Sequence, residues 1–265
     1  MMLSERLKRI ADEIKQGETM ADIGTDHGFL PVYLSENGIS PHVVLADASS
    51  GSLDKARENC RKEAPDAAFD FRLGNGLEVL SSGEVDVVVI AGMGGILIAE
   101  ILAADPKKTR SFGRFILQPR NNIGRLRAYL LSHGFVIVKE QLVRERKFIC
   151  EILTAEPVVA SERETAAGYS RTALSGKTAN QYGKAADLYG KDPEITAYFD
   201  FPDTLAVSGE GLLKEYLSGQ LDRYLRIADK IRRNKSRSDL LRVHEARIRR
   251  IGAILKAAAD LTLPS

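Results

Sequence analysis

The chain is 265 residues long, 44% hydrophobic and 28% charged, which is ordinary for a globular protein able to bury a core without disulfide or metal staples. Its two cysteines, Cys60 and Cys150, and four scattered histidines, His27, His42, His133 and His244, exclude a disulfide framework, a cysteine zinc site and a histidine metal cluster. The net charge is only +2, but residues 208–256 hold 13 Lys and Arg against 6 Asp and Glu, the footprint of a polyanion partner or of a solvated helical face.

Leu3, Leu7, Ile10 and Ile14 recur at helical spacing and predict a helix over 3–16, ended by Gly17. Short apolar runs then alternate with helical patterns. Strands are expected at 19–23, 43–47, 69–73, 85–91 and 115–118, and helices at 27–37, 50–63, 96–102 and 123–132. This alternation argues for an α/β fold, a mostly parallel sheet covered by helices on both faces. Two further β-rich runs, 135–142 and 148–154, flank a charged turn and read as an antiparallel hairpin at one edge. Residues 156–207 are weakly periodic and read as a linker with short helices. Beyond it, Leu213, Leu217, Leu221, Tyr224, Ala228 and Ile231 form one apolar seam, and Leu241, His244, Ile248, Ile251, Leu255 and Ala258 a second. Two such helices joined by a short polar loop predict an antiparallel, coiled-coil-like hairpin, with His244 packed in the seam. The expected domains are thus 1–155, a linker 156–207, and a basic helical hairpin 208–265. The longest uncharged run, 87–99, has 13 residues against the ~20 that span a bilayer. With no apolar signal segment at the N-terminus, the expectation is a cytoplasmic protein.

In a doubly wound sheet, ligands bind at the carboxyl ends of the strands. The first strand ends in Asp22-Ile23-Gly24-Thr25-Asp26-His27-Gly28. The dinucleotide fingerprint G-x-G-x-x-G is absent. A carboxylate before the first glycine can receive an ammonium but would repel a diphosphate, so the loop suits S-adenosylmethionine better; a plain strand–helix turn is the alternative. Asp47, with Ala48 beside it, ends the second strand, where a carboxylate can accept both ribose hydroxyls. Gly74-Asn75-Gly76 follows the third and could reach an adenine edge or simply turn. Ala91-Gly92-Met93-Gly94-Gly95 follows the fourth, and so many glycines there are costly unless something must come close. Gln118-Pro119-Arg120-Asn121-Asn122 ends the fifth.

Taken together, Ala21 to Gly28, Ile90 to Gly95 and Ile116-Leu117-Gln118-Pro119 resemble the bacterial tRNA (adenine-22-N1)-methyltransferase family. Gly74-Asn75-Gly76-Leu77 and Lys147-Phe148-Ile149 also fall where that family has comparable motifs. The resemblance covers essentially the whole chain, although Gly28 stands where a larger residue is common and Asn75 where an Asp is common. It implies a Rossmann-like class I methyltransferase fold with a seven-stranded sheet, a C-terminal helical domain, S-adenosyl-L-methionine as donor with no metal, and tRNA as substrate, modified at adenine 22. The donor would then be bound by Asp22, Gly24, Thr25, His27, Gly28, Asp47, Ala48, Asn75, Gly76, Ala91, Gly92 and Met93. Asp26, His27 and Gln118 become the catalytic candidates. Asp26 would stabilise the cationic adenine or accept its N6 proton, or else cap the following helix. Gln118, Pro119 and Asn122 would hold the base. Arg223, Arg226, Lys230, Arg232, Arg233, Lys235 and Arg237 would hold tRNA phosphates. No obligatory protein partner is visible, and a monomer or weak homodimer is expected. The rival readings are a non-catalytic donor- or RNA-binding module, a nicotinamide-dependent oxidoreductase, and an N6-adenine methyltransferase.

Overall fold

The alternation seen in the sequence folds as parallel strands with intervening helices. The structure is a computed structural model that describes residues 2–158, 185–205, 211–234 and 238–260. Helix α1 (Glu5–Ala11) opens with the Ser4 hydroxyl accepting the Leu7 N–H and is shorter than its periodicity predicts. Strand β1 (Met20–Ile23), helix α2 (Phe29–Glu36), strand β2 (Val43–Asp47), helix α3 (Ser50–Glu63) and strand β3 (Asp70–Leu73) follow. A 3-10 turn at Gly76–Val79 precedes strand β4 (Val87–Met93). Helix α4 (Gly95–Ala103), the short α5 (Pro106–Thr109), strand β5 (Arg114–Pro119) and helix α6 (Ile123–Ser132) lead into the hairpin β6 (Phe135–Glu145) and β7 (Phe148–Pro157). Both hairpin strands are longer than expected.

The seven strands are ordered β3-β2-β1-β4-β5-β7-β6. β1 lies parallel to both β2 and β4, and β5 lies parallel to β4 and antiparallel to β7. The order therefore reverses between β1 and β4, which places a crevice outside their carboxyl ends. β4 is a continuous apolar run with Val87, Val88, Val89 and Ile90 fully buried, as a strand covered on both faces requires.

Two compact units are distinguishable. The first comprises Met1–Asn121 and Val143–Pro157, the second Asn122–Leu142 and Val158–Ser265. The division does not follow the expected boundary at 155, because α6 packs on helix α7 (Pro193–Asp200). Residues 185–205, read as part of a linker with short helices, hold the short helix α7 and carry buried side chains, Ala197, Phe199, Phe201 and Leu205. In the second unit helix α8 (Leu213–Asn234) packs along helix α9 (Ser238–Asp260), and α9 packs on α7. The seam residues Leu213, Leu217, Ala228, His244 and Ile251 are buried as predicted. His244 is a packed histidine: its ring lies 5.4 Å from that of Tyr224, and burial, then the Arg247 charge, lowers its pKa.

A polar cluster holds this unit together. The Arg127 Nε donates to Glu140 Oε1 at 2.7 Å and its Nη1 to the Phe199 carbonyl at 3.0 Å. Asp200 accepts from the Tyr189 hydroxyl at 2.9 Å and from Arg247 Nε at 2.6 Å. Gly124 on α6 lies against Asp200, and a Cβ there would collide with the Asp200 carboxylate. A helical Gly→Ala change normally gains about 1 kcal/mol. Here overpacking, at about 1–3 kcal/mol, opposes that gain and strains two hydrogen bonds to a buried carboxylate. Gly124→Ala is therefore expected to destabilise the protein by about 1–2 kcal/mol, read as a lower urea midpoint. A higher midpoint would show that Asp200 yields at no cost.

Candidate functional site

The parallel strands β1 to β5 end on one rim of the sheet, which gathers most of the chemistry-bearing residues. Asp22 is paired in register with Leu45 and Val89, so it lies on β1 between β2 and β4, on one of the two strands that flank the crevice. Burial pushes its carboxyl up to about 6. The Thr25 hydroxyl, the Arg6 charge and the Asp47 charge modify this, the first two lowering the value and the third raising it. Among the described residues the buried Thr25 hydroxyl closes no hydrogen bond of normal geometry. The Gly24 and Thr25 N–H groups both donate to the Ala46 carbonyl, at 2.7 and 3.1 Å, which folds the loop back toward β2.

The turn after β1 needs its glycines. Gly24 has φ +83°, and a Cβ there would strike Met93 Cε. Gly28 has φ +66°, and its Cβ would stand 3.2 Å from Cys60 Sγ and Leu45 Cδ2. The larger residue common in the resembling family at this position would be strained here. This left-handed Gly28 is also the N-cap of α2. The helix thus begins two residues later than expected, and Asp26 and His27 lie before it in the exposed loop. Asp26 does not cap the helix. Its carboxylate lies 3.2 Å from His27 Nε2 and 3.7 Å from Lys55 Nζ. The His27 ring stacks on Phe29 at 5.2 Å, and Asn59 Nδ2 donates to the His27 carbonyl at 3.0 Å. Lys55 and Asn59, both on α3, are site neighbours that no sequence motif marked.

At the end of β2, Asp47 Oδ1 accepts the Ser49 N–H at 2.7 Å, which fixes the carboxylate beside the exposed Ala48. The Gly74 N–H donates to the Asp47 carbonyl at 3.1 Å, so the exposed Asn75 and the turn at Gly76 come to the same place. Glu78 Oε1 accepts the Asn75 N–H at 2.5 Å. On the other side of β1, β4 carries an irregularity between Ala91 and Met93. Gly92 there has φ +77°, and a Cβ on it would meet nothing within 4 Å. The Gly95 N–H donates to the Asn121 carbonyl at 3.0 Å.

Gln118 corrects an expectation. It is 3% exposed, its Oε1 accepts from Arg6 Nη1 at 3.1 Å, and its Nε2 donates to the Pro119 carbonyl at 3.1 Å. Pro119 is buried as well. Neither side chain is presented to a base; Gln118 instead joins α1 to β5. Asn122, by contrast, is exposed, with φ 51°, as the N-cap of α6 in the second unit. Arg6, 112 residues before Gln118 in sequence, could not be foreseen as a neighbour of both Asp22 and Gln118.

Of the basic residues on the helical hairpin, Arg226, Lys230 and Arg233 line an open groove of about 410 Å³ together with Asp229. Arg223 is exposed. Arg232 is exposed but engaged, with Asp229 Oδ1 at 3.2 Å and Glu245 Oε1 at 3.0 Å. Lys235 and Arg237 lie outside the described residues. Arg247, Arg249 and Arg250 are bound to Asp200, Glu194 and Asp203, so part of the basic excess is spent within the unit. Among the described residues, His42, Asp70 and Glu84 could bring metal-ligand atoms together. The Arg72 guanidinium already bridges both carboxylates, each at 2.5 Å, which makes that cluster an ion-pair network. Among the described residues no helix is long and apolar enough to cross a membrane.

Residues 3–153 match the family model described as a methyltransferase domain. The chain is 36% identical over 166 residues to the tRNA (adenine(22)-N(1))-methyltransferase of Bacillus subtilis, covering 63% of this chain and 68% of that protein. A crystal structure of a Streptococcus pneumoniae protein, a putative tRNA (m1A22) methyltransferase in complex with S-adenosyl-L-methionine, is 27% identical. It superposes with a TM-score of 0.70 over 96% of this chain and 100% of that one. The B. subtilis M1A22 tRNA methyltransferase structure gives a TM-score of 0.69 at 25% identity, over 98% of each chain.

Proposed function

Because this chain belongs to the tRNA (adenine(22)-N(1))-methyltransferase family, we propose that it transfers a methyl group from S-adenosyl-L-methionine to N1 of adenine 22 of tRNA. The observation that carries this reading is the meeting of two carboxylates, Asp22 and Asp47, with the open turn at Gly92 on one rim beside the exposed Asp26–His27 pair. These residues fit the donor. Asp22 offers a part-buried carboxylate to an ammonium, and Asp47 a fixed carboxylate to ribose hydroxyls. Gly92 leaves open space where any side chain would stand.

The donor supplies an already activated sulfonium methyl, so the chain's task is proximity and in-line orientation. N1 lies on the Watson–Crick edge, so the loop must take an unpaired or flipped-out adenine. As N1 bonds to the methyl, the methyl–sulfur bond breaks and S-adenosyl-L-homocysteine is left; the adenine becomes cationic, and Asp26 at the rim stabilises that charge or accepts the N6 proton. His27 steadies Asp26, and Lys55 lies on its other side. Gln118 keeps β5 in place through Arg6. Arg226, Lys230 and Arg233 attract tRNA phosphates, and recognition by shape is expected for a folded RNA.

The deciding experiment is nucleoside mass spectrometry of unmodified tRNA transcripts incubated with protein and S-adenosyl-L-methionine. N1-methyladenosine that disappears when adenine 22 is replaced establishes donor, acceptor atom and position. Protein that binds both ligands without forming a methylated nucleoside would overturn the reading in favour of a non-catalytic module.

A further inference from the structure

We infer that the tip of the β6–β7 hairpin, Arg146, Lys147 and Phe148, is a tRNA-binding element overhanging the methylation rim, with Phe148 stacking on an unpaired base and the two cations on flanking phosphates. The inference rests on the function proposed above and adds a contact that the donor and base sites do not require.

The strand register places the tip. In the antiparallel pair, Phe115, Ile116 and Leu117 of β5 face Ala155, Thr154 and Leu153 of β7. β5 runs toward the rim and ends at Pro119, two residues past Leu117, whereas β7 begins at Phe148, five residues before Leu153. At about 3.4 Å per residue, the tip stands about 10 Å beyond the end of β5. β5 is parallel to β4 and β4 to β1, so this overhang lies on the side where Asp22, Asp26 and Gly92 are found. The base of the hairpin is tied down there as well. Glu145 Oε2 accepts the Arg6 N–H at 3.2 Å, and the Arg6 side chain holds Gln118.

The tip has the chemistry of a single-strand contact. Phe148 is 62% exposed, so its ring gains little from folding. Lys147 Nζ lies 5.3 Å from the ring centroid. Arg144, Arg146 and Lys147 are all exposed. Arg146 has φ 56°, a left-handed position at which glycine or asparagine would be relaxed, so the chain carries a cation there against local preference. Glu145, the acid of the turn, accepts the Arg6 backbone N–H, and Arg146 and Lys147 outnumber it, so the tip is net cationic. An aromatic face with neighbouring cations suits a base with its phosphates: stacking is tolerant of sequence and the charges track the backbone. An adenine drawn from its stack leaves unpaired neighbours, and they are the natural occupants of a platform beside the rim.

The test uses the full-length protein and an unmodified tRNA transcript, with binding measured at several salt concentrations and methylation followed in parallel. Phe148→Ala is expected to weaken tRNA binding by about tenfold, and Phe148→Tyr to retain it. Arg146→Ala with Lys147→Ala should lower the slope of log affinity against log salt by between about 1 and 2. Donor affinity should be unchanged in all three. If wild-type protein methylates tRNA and all tip variants match it in tRNA binding, the tip assignment is overturned and the function stands. If Phe148→Ala abolishes self-association and spares tRNA binding, the tip belongs to a second copy of the chain and the assignment is likewise overturned. Wild-type protein that neither binds nor methylates tRNA overturns both.

Discussion

Replacing Asp26 by alanine is expected to lower turnover about a hundredfold or more while leaving donor affinity within about twofold, the range in which a positioned acid–base group acts. The side chain is 59% exposed, at hydrogen-bond distance from His27 and close to Lys55. It has no structural duty that alanine would undo, because Gly28 and not Asp26 begins α2. An exposed carboxylate next to a donor loop is free to meet a base that arrives from solvent. The cost of its loss should therefore fall on the step in which adenine gains positive charge, and on kcat before KM. Single-turnover methylation with titrated donor separates the two. Loss of donor binding with an unchanged chemical step would remove Asp26 from the catalytic role.

The fold was legible where burial imposes a period. β2, α3 and α6 lie where the sequence puts them, because Val43 to Ala46 and the helical apolar stripes admit one register. The seams of α8 and α9 were readable for the same reason. What escaped was set by backbone conformation and by distant contacts. The start of α2 depends on the left-handed Gly28, whose sequence reads equally well as loop or helix. Residues 185–205 looked like a linker because Phe199, Phe201 and Leu205 are spaced too irregularly for any period, and their partners come from distant elements, α6 and α9 against α7 and Tyr224 of α8 against Phe201.

The candidate site divides along the same line. Asp22, Asp47 and the glycine turns were readable because strand ends are positional. Gln118 also stands at a strand end, yet the structure turns it inward to Arg6. Strand alternation alone could not choose between rim and core at that position, since Pro119 and the residues before it are buried too. The charge of the helical hairpin was likewise an overestimate of free cation. Composition counts Arg247, Arg249 and Arg250 with the rest, while the structure gives each an acidic partner.

Asp22 links the site to pH, and the sign can be worked out. Burial raises its carboxyl from 3.8 to about 6, so folding keeps the neutral form up to about pH 6, where the unfolded chain would already carry the anion. The stability it contributes is therefore full below 3.8 and is lost as pH rises through about 6. Ionising it costs at most about 3 kcal/mol, less the solvent screening that a part-buried group retains. A donor ammonium reverses this preference, because it needs the anion. Donor affinity is thus expected to be level above pH 6 and to fall by up to about tenfold per pH unit below it. Asp22→Asn should flatten that profile and weaken donor binding about a hundredfold at pH 8, the worth of a strong hydrogen bond to a charged group. The same change should raise the thermal midpoint of the donor-free protein at pH 8 by removing the ionisation cost. The groups facing Asp22 are Arg6 from α1, Thr25 from its own loop, Asp47 from β2 and Cys60 from α3, whose thiol is itself pushed up to about 11 by burial and by Asp22. Of these Arg6 alone is cationic, so Arg6→Met should move the midpoint of donor binding above 6, whereas a purely structural Arg6 would leave it in place. Calorimetric titration of the donor between pH 5 and 8 in the three proteins reads each of these outcomes. An Asp22→Asn protein that binds donor like wild type at every pH would transfer the ammonium to another acceptor on the rim.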